Sequence, residues 1–294
     1  MKNSGVLWIG GDKRQIIAEN VMYSLGWDTS ACLSESQNRI KGIYYPDWQT
    51  AFEKRKILIF PLPMTKDGKY LNFSSHANDK LPLAEVFRYV PSGSLILGGK
   101  IPDPIGNLLT ERGIRFIDYY NEDFQIRNAL PTAEGAIAIA LRELPITLSG
   151  ADILVIGYGR IGKILSVKLQ HLGALVTIAA RKSSDLAMAK AFGQNTIFIQ
   201  EGLRPDCLSG HFDVIFNTVP VCLFGREQLA NIKQNTLLID LASSPGGVDL
   251  DEAKRFGIRT IQALSLPGKF SPITSGNILA DTVVQILAKE DIMP

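Results

Sequence analysis

The sequence predicts an α/β protein built from two Rossmann-like doubly wound domains with a cleft between them. Three observations carry this. Short apolar runs alternate with helix-spaced segments from end to end, as buried parallel strands and their crossover helices do. Residues 148–184 read as strand, glycine turn, helix and strand, the unit that holds a dinucleotide. The length, 294 residues, suits two domains rather than one. The expected boundaries are 1–130 for an N-terminal substrate domain and 131–274 for the dinucleotide domain. The C-terminal helix 275–294 joins, and packs back toward, the first.

Bulk composition excludes several classes. Hydrophobic content of 46% and charged content of 20% are those of a soluble globular protein. A net charge of +2 with no basic tract argues against a nucleic-acid partner. No apolar run reaches the roughly 20 residues of a membrane span, and the N-terminus lacks a signal-peptide apolar region. A cytoplasmic location is expected. Cys32, Cys207 and Cys222 form no CxxC pair, so neither a disulfide framework nor a metal site is expected. Of the three histidines, His171 falls late in a helix and His211 stands alone. His76, in a polar loop, is the one not dismissed.

The first domain opens with a strand over 6–9, the turn Gly10-Gly11-Asp12 and a helix over 15–25 stopped by Gly26. Residues 27–32 form a second strand. An acidic Asp12 at the phosphate position repels a dinucleotide, so this domain is not expected to hold the cofactor. Asp12 is either a helix N-cap or a substrate-facing group. A strand over 57–60 leads to a polar loop over 65–78 of the length that often carries function. Strand 94–97 ends at Gly98-Gly99-Lys100. Ligands gather at the carboxyl ends of such strands, which makes Lys100 either a candidate cation or an ordinary exposed lysine. A helix over 103–112 and a strand over 114–118 complete the domain.

Residues 128–135 read as the domain boundary. Thr132 is the expected N-cap of an apolar helix over 133–144, with Glu134 in its first turn, where the dipole favours an anion. Then comes the strand 152–156 and Gly157-Tyr158-Gly159-Arg160-Ile161-Gly162. Gly157 permits the tight turn, Gly159 lets the backbone approach a pyrophosphate, and Gly162 packs helix against strand. The helix N-terminus, beginning at Arg160 and Ile161, faces the phosphates. An NAD site usually carries Asp or Glu at the end of the next strand. Here stand Arg181, Lys182 and Ser183. With Ser184 next, two cations and two hydroxyls suit a 2′-phosphate, so NADP is preferred, with NAD possible; a solvated turn is the alternative. Two further loops, Thr218-Val219-Pro220 and the one holding Ala242 and Ser243, leave successive strands and are expected beside the nicotinamide. Strand 259–263, a tail over 266–277 and a helix over 278–289 end the chain.

The segments IGGDKRQ, NALPTAEGAI, VIGYGRIGK, NTVP, DLASSPGG and LPGKFSPITSG together resemble the dipicolinate synthase A-subunit family of spore-forming bacteria. The resemblance covers essentially the whole chain. It implies a two-domain architecture similar to the D-2-hydroxyacid and alanine dehydrogenases. It also implies oxidation of the dihydrodipicolinate synthase product to pyridine-2,6-dicarboxylate, with NADP or NAD taking the hydride. Further implications are a partner, the flavoprotein-like B-subunit of dipicolinate synthase, as well as homo-oligomers and the mother cell of a sporulating bacterium. Two substrate carboxylates need cations, for which Arg14, Lys100 and Lys269 are candidates. Thr132, Ser243, Thr274, Ser275 and the amide of Asn128 complete the expected grip. Glu134 is the candidate for proton transfer, so that Glu134, Lys100 and Thr132 form the expected catalytic set. No histidine stands at a position equivalent to the hydroxyacid dehydrogenase acid/base, which counts against a simple 2-hydroxyacid dehydrogenase. Other readings are an amino- or hydroxy-acid dehydrogenase using Lys100, or a cofactor-binding scaffold inactive alone.

Overall fold

The computed structural model describes residues 5–34, 40–73, 80–199, 202–208, 210–243 and 245–294. His76 lies outside them. The chain divides into two compact units, residues 1–128 with 271–294, and residues 129–270.

In the first unit β1 (Val6–Ile9), β2 (Thr29–Cys32), β3 (Ile43–Tyr44), β4 (Ile57–Ile59), β5 (Leu95–Gly98) and β6 (Arg115–Asp118) make one parallel sheet in the order β3-β2-β1-β4-β5-β6. Helices α1 (Lys13–Ser24), α2 (Trp48–Glu53), α3 (Leu83–Val86), α4 (Asp103–Glu111) and α11 (Pro272–Lys289) belong to the same unit. Successive residues of β1 serve opposite faces, as a strand requires. Val6 and Trp8 pack with Ala18 and Met22 of α1 and Ile278 and Val283 of α11. Leu7 and Ile9 pack with Phe52, Phe60 and Ile96. α1 and α11 approach closely at Gly276, where a Cβ would press on Ile17 and the Arg14 carbonyl.

The second unit repeats the topology. β7 (Asp152–Ile156), β8 (Leu175–Ala180), β9 (Asn195–Phe198), β10 (Val214–Asn217), β11 (Leu237–Asp240) and β12 (Arg259–Gln262) form a parallel sheet ordered β12-β11-β10-β7-β8-β9. α6 (Arg160–His171), α7 (Ser183–Ala191), α8 (Arg226–Leu229), α9 (Leu250–Arg255) and α10 (Leu266–Phe270) connect and cover it. The strand order reverses between β7 and β10, the switch point where doubly wound sheets hold ligands.

Three expectations need correction. Residues 128–135 hold no helix start: α5 runs unbroken over Glu122–Glu143, through the point where the two units divide, with Pro131 inside it. Its cap is Asn121, whose side-chain oxygen accepts the Phe124 N–H at 2.9 Å. Thr132 is therefore buried mid-helix and is not an N-cap. Glu134 likewise lies far from any first turn. The final helix begins at Pro272 rather than 278, because proline, whose missing N–H would be unpaired there anyway, starts a helix well. The third concerns residues 57–60, open in sequence as a third or a fourth strand: β3 and α2 precede them, so they form the fourth.

Candidate active site

Around the glycine turn each glycine has its own reason. Gly157 sits at φ +93°, and a side chain there would strike Thr218 and Val219. A Cβ on Gly162 would collide with the Gly157 carbonyl. Gly159 differs: a Cβ there meets nothing within 4 Å, so the space above it is open. Gly159 is also the N-cap of α6, with no side-chain capping bond and no acid in the first turn, which begins with Arg160 and Ile161. A helix N-terminus, an open cradle and no acid in the first turn fit the pyrophosphate of a dinucleotide.

At the end of β8, Arg181, Lys182 and Ser183 are exposed, and Lys182 caps α7 without a side-chain bond. Asp185 in that first turn is met by Lys163 Nζ at 3.8 Å, which also lies 5.5 Å from the centre of the Tyr158 ring. Burial and then the charge of Asp185 raise the Tyr158 pKa.

A buried pair that sequence reasoning misses fixes the remaining loops. Asn217 and Asp240, closing β10 and β11, are 0% and 1% exposed. Asn217 Nδ2 donates to Asp240 at 2.8 Å and to the Val219 carbonyl at 3.0 Å. Asp240 also accepts from the Ala242 and Gly247 N–H groups, at 3.2 and 2.9 Å. One carboxylate thus folds the loop carrying Ala242 and Ser243, while Asn217 ties down Val219. Thr218 Oγ1 donates to the Ile156 carbonyl at 2.8 Å, holding its loop against the glycine turn. Ala242 is buried, whereas Ser243 and Pro220 are exposed. The available signal is a polar residue ending each of two apolar strands.

In the first unit Asp12 caps α1, its Oδ1 accepting the Arg14 N–H at 3.0 Å. Its carboxylate also grips the Arg14 guanidinium, with Nη2 at 2.8 Å. Burial lowers the Arg14 pKa, but the bond to Asp12 and its charge outweigh this and leave it above the ordinary value. Arg14 and Ser275 line one small cavity with Leu62, Phe124 and Leu279. Beneath, Tyr119 is fully buried and donates to the Phe60 carbonyl at 2.9 Å. Burial pushes its phenol well up, partly offset by Arg14. Lys100 is exposed at the end of β5, at φ +55°, with its N–H on Asp118 at 3.0 Å. Asn128 is half-buried in α5; Thr274 is exposed in the first turn of α11 rather than in a loop.

In the second unit, Glu134 is exposed and its carboxylate accepts from Lys168 Nζ at 2.9 Å. Lys269 is exposed near the end of α10. Thus Arg14 and Ser275 share a cavity, the glycines adjoin Thr218 and Val219, and Glu134 pairs with a lysine of α6. Among the described residues no three His, Cys, Asp or Glu side chains cluster as metal ligands. No helix among them is long and apolar enough to cross a membrane.

Comparison with known proteins decides the family. The profile of the N-terminal domain of the dipicolinate synthase A-subunit matches residues 6–120. The dipicolinate synthase A-subunit of Bacillus subtilis (strain 168) is 31% identical over 243 residues, covering 81% of this chain and 80% of that protein. This chain belongs to the dipicolinate synthase A-subunit family. The crystal structure of the family's Bacillus halodurans member matches with a TM-score of 0.85 at 28% identity, over 97% of this chain and 98% of that one. A transhydrogenase from Sinorhizobium meliloti, at 14% identity, shares the fold, with a TM-score of 0.68 over 96% and 92% of the two chains. The two parallel Rossmann-like sheets expected from the family resemblance are present.

Proposed function

We propose that this chain is the NADP-linked oxidoreductase subunit that forms dipicolinate from the dihydrodipicolinate synthase product, in the mother-cell cytoplasm, together with a second subunit. The observation that carries the reading is the glycine turn open above Gly159, followed at the end of β8 by Arg181, Lys182 and Ser183 with no acid among them. Family membership supplies the product and the existence of a second subunit, both implied by the name of the Bacillus subtilis relative.

The α6 N-terminus takes the pyrophosphate, and Arg181, Lys182 and Ser183 take the 2′-phosphate. The nicotinamide, when bound, supplies the hydride acceptor. Asn217 and Asp240 hold the loops of Thr218, Val219, Pro220, Ala242 and Ser243 that orient it. The ring substrate loses water, then one hydride and one proton, and becomes aromatic, so the driving force lies in the substrate. Arg14 with Ser275 takes one carboxylate. Lys100, Lys269, Asn128, Thr274 and the Thr132 hydroxyl are the proposed contacts for the remainder. Glu134 is the proposed proton acceptor.

Calorimetric titration of the full chain with NADP and with NAD tests the cofactor half. NADP is expected to bind the more tightly, and the double change Arg181→Ala, Lys182→Ala is expected to weaken NADP by about tenfold or more while sparing NAD. Equal affinity for both nucleotides in the wild type would overturn the NADP assignment.

A further inference from the structure

Asp12 does two jobs with one side chain. It caps α1, and it occupies one whole edge of the Arg14 guanidinium: Nε reaches Oδ1 at 2.9 Å and Oδ2 at 3.1 Å, and Nη2 reaches Oδ2 at 2.8 Å. The second hydrogen of Nη2 goes to the Leu62 carbonyl at 3.1 Å. A guanidinium has five N–H donors. Three are consumed here, and among the described residues Nη1 has no hydrogen bond. The Arg14 side chain is only 12% exposed. It lines a cavity of ≈ 10 Å³ with Asp12 itself, Gln15, Leu62, Phe124, Ser275 and Leu279. That volume holds about one water, or one oxygen of a larger group. The walls are largely apolar, which strengthens a charge-assisted bond made inside them.

We propose that Asp12 is a positioning residue. Together with the Leu62 carbonyl it holds Arg14 so that Nη1 alone is offered to the cavity, which admits one oxygen of a substrate carboxylate end-on. The inference rests on the reading of the substrate as a ring dicarboxylate and adds how one carboxylate is held. It also supplies selectivity. The edge that would grip an oxyanion with two bonds is taken, and the nearby Asp12 charge disfavours a group that concentrates two charges on one centre, such as phosphate, relative to a single carboxylate.

The two jobs of Asp12 separate by mutation. Asn and Ser cap helices as well as Asp does, but neither can fork a guanidinium. Asp12→Asn and Asp12→Ser are therefore expected to keep the NADP affinity of the wild type, and to lower the melting temperature by only a few degrees as Arg14 loses its counter-ion, with the chain folded at the assay temperature. Both are expected to weaken dipicolinate, titrated by calorimetry into the full chain, by about tenfold. In turnover, KM for the ring substrate rises by a similar factor while kcat stays within about twofold, since the anchor acts alike in ground and transition states. Inorganic phosphate is expected not to compete with dipicolinate in the wild type. Wild-type dipicolinate affinity in both variants would overturn the proposal and leave the functional reading standing, and so would losses that follow melting temperature rather than charge. Failure of the wild type both to bind dipicolinate and to turn over the ring substrate would overturn the functional reading and this proposal with it.

Discussion

Substituting Gly159 by Ala separates binding from folding. At Gly159, φ −80° and ψ −162° are open to any residue, and the added methyl meets no protein atom within 4 Å. Alanine caps a helix less well than glycine by roughly 0.5–1 kcal/mol. It also loses less chain entropy on folding, worth about 0.4–1 kcal/mol the other way. The net change in stability is expected within about 0.5 kcal/mol. The methyl does, however, fill the space assigned to the pyrophosphate. Loss of close backbone approach is expected to weaken NADP on the order of 100-fold. Gly162→Ala is the contrast. Its methyl runs into the Gly157 carbonyl, backbone against backbone, and overpacking of this kind costs about 1–3 kcal/mol. For a unit of this size that is a fall of several degrees, at roughly 2–4 °C per kcal/mol. Thermal unfolding without nucleotide and calorimetric NADP titration give both quantities. If Gly159→Ala binds NADP as the wild type does, the turn is structural only, and the cofactor reading fails.

Other consequences are as direct. Asn217→Leu keeps the volume but removes one donor from the buried Asp240 carboxylate, which keeps its bonds from the Ala242 and Gly247 N–H groups, and the donor to the half-buried Val219 carbonyl; urea unfolding is expected to show a loss of about 1–3 kcal/mol, and a change near zero would contradict the network's role. Glu134→Gln breaks one exposed ion pair with Lys168, worth at most about 1 kcal/mol. Turnover is nonetheless expected to fall on the order of 100-fold, and retained turnover would remove Glu134 from proton transfer. Asp47 caps α2, and bonds from the Thr50 hydroxyl and then the Thr50 N–H hold its pKa below the ordinary 3.8. Because the folded value is the lower one, this contribution is present above the ordinary carboxylate range and fades as pH falls through the folded pKa. A carbon-detected NMR titration is expected to place its midpoint below 3.8 and to show Thr50→Val raising it. An unshifted Asp47 would refute the capping account.

Much of the architecture is legible in the sequence because parallel strands buried on both faces leave contiguous apolar runs, as in β7 and β10. The glycine turn is legible because its chemistry is local. What escapes depends on distant partners or on ambiguous local signals. β3 has two residues and no run to betray it. A proline signals a helix break as readily as a helix start, yet Pro131 sits inside α5 and Pro272 opens α11. The N-cap role of Asp12 follows from its place between a turn and a helix. Its second function, holding Arg14, arises from a side-chain fork and from a carbonyl 48 residues away, which no spacing rule encodes. Asn217 and Asp240 are visible in sequence only as loop starts, because their meaning lies in a bond between neighbouring strands.

The most direct test supplies the purified chain, with and without its second subunit, with freshly made dihydrodipicolinate synthase product and NADP. Reduced-nicotinamide absorbance and dipicolinate are followed together. The account predicts NADPH and dipicolinate in equal amounts from the chain, with NADP the better acceptor than NAD. No reduction of either nucleotide under any of these conditions, despite tight NADP binding, would contradict it.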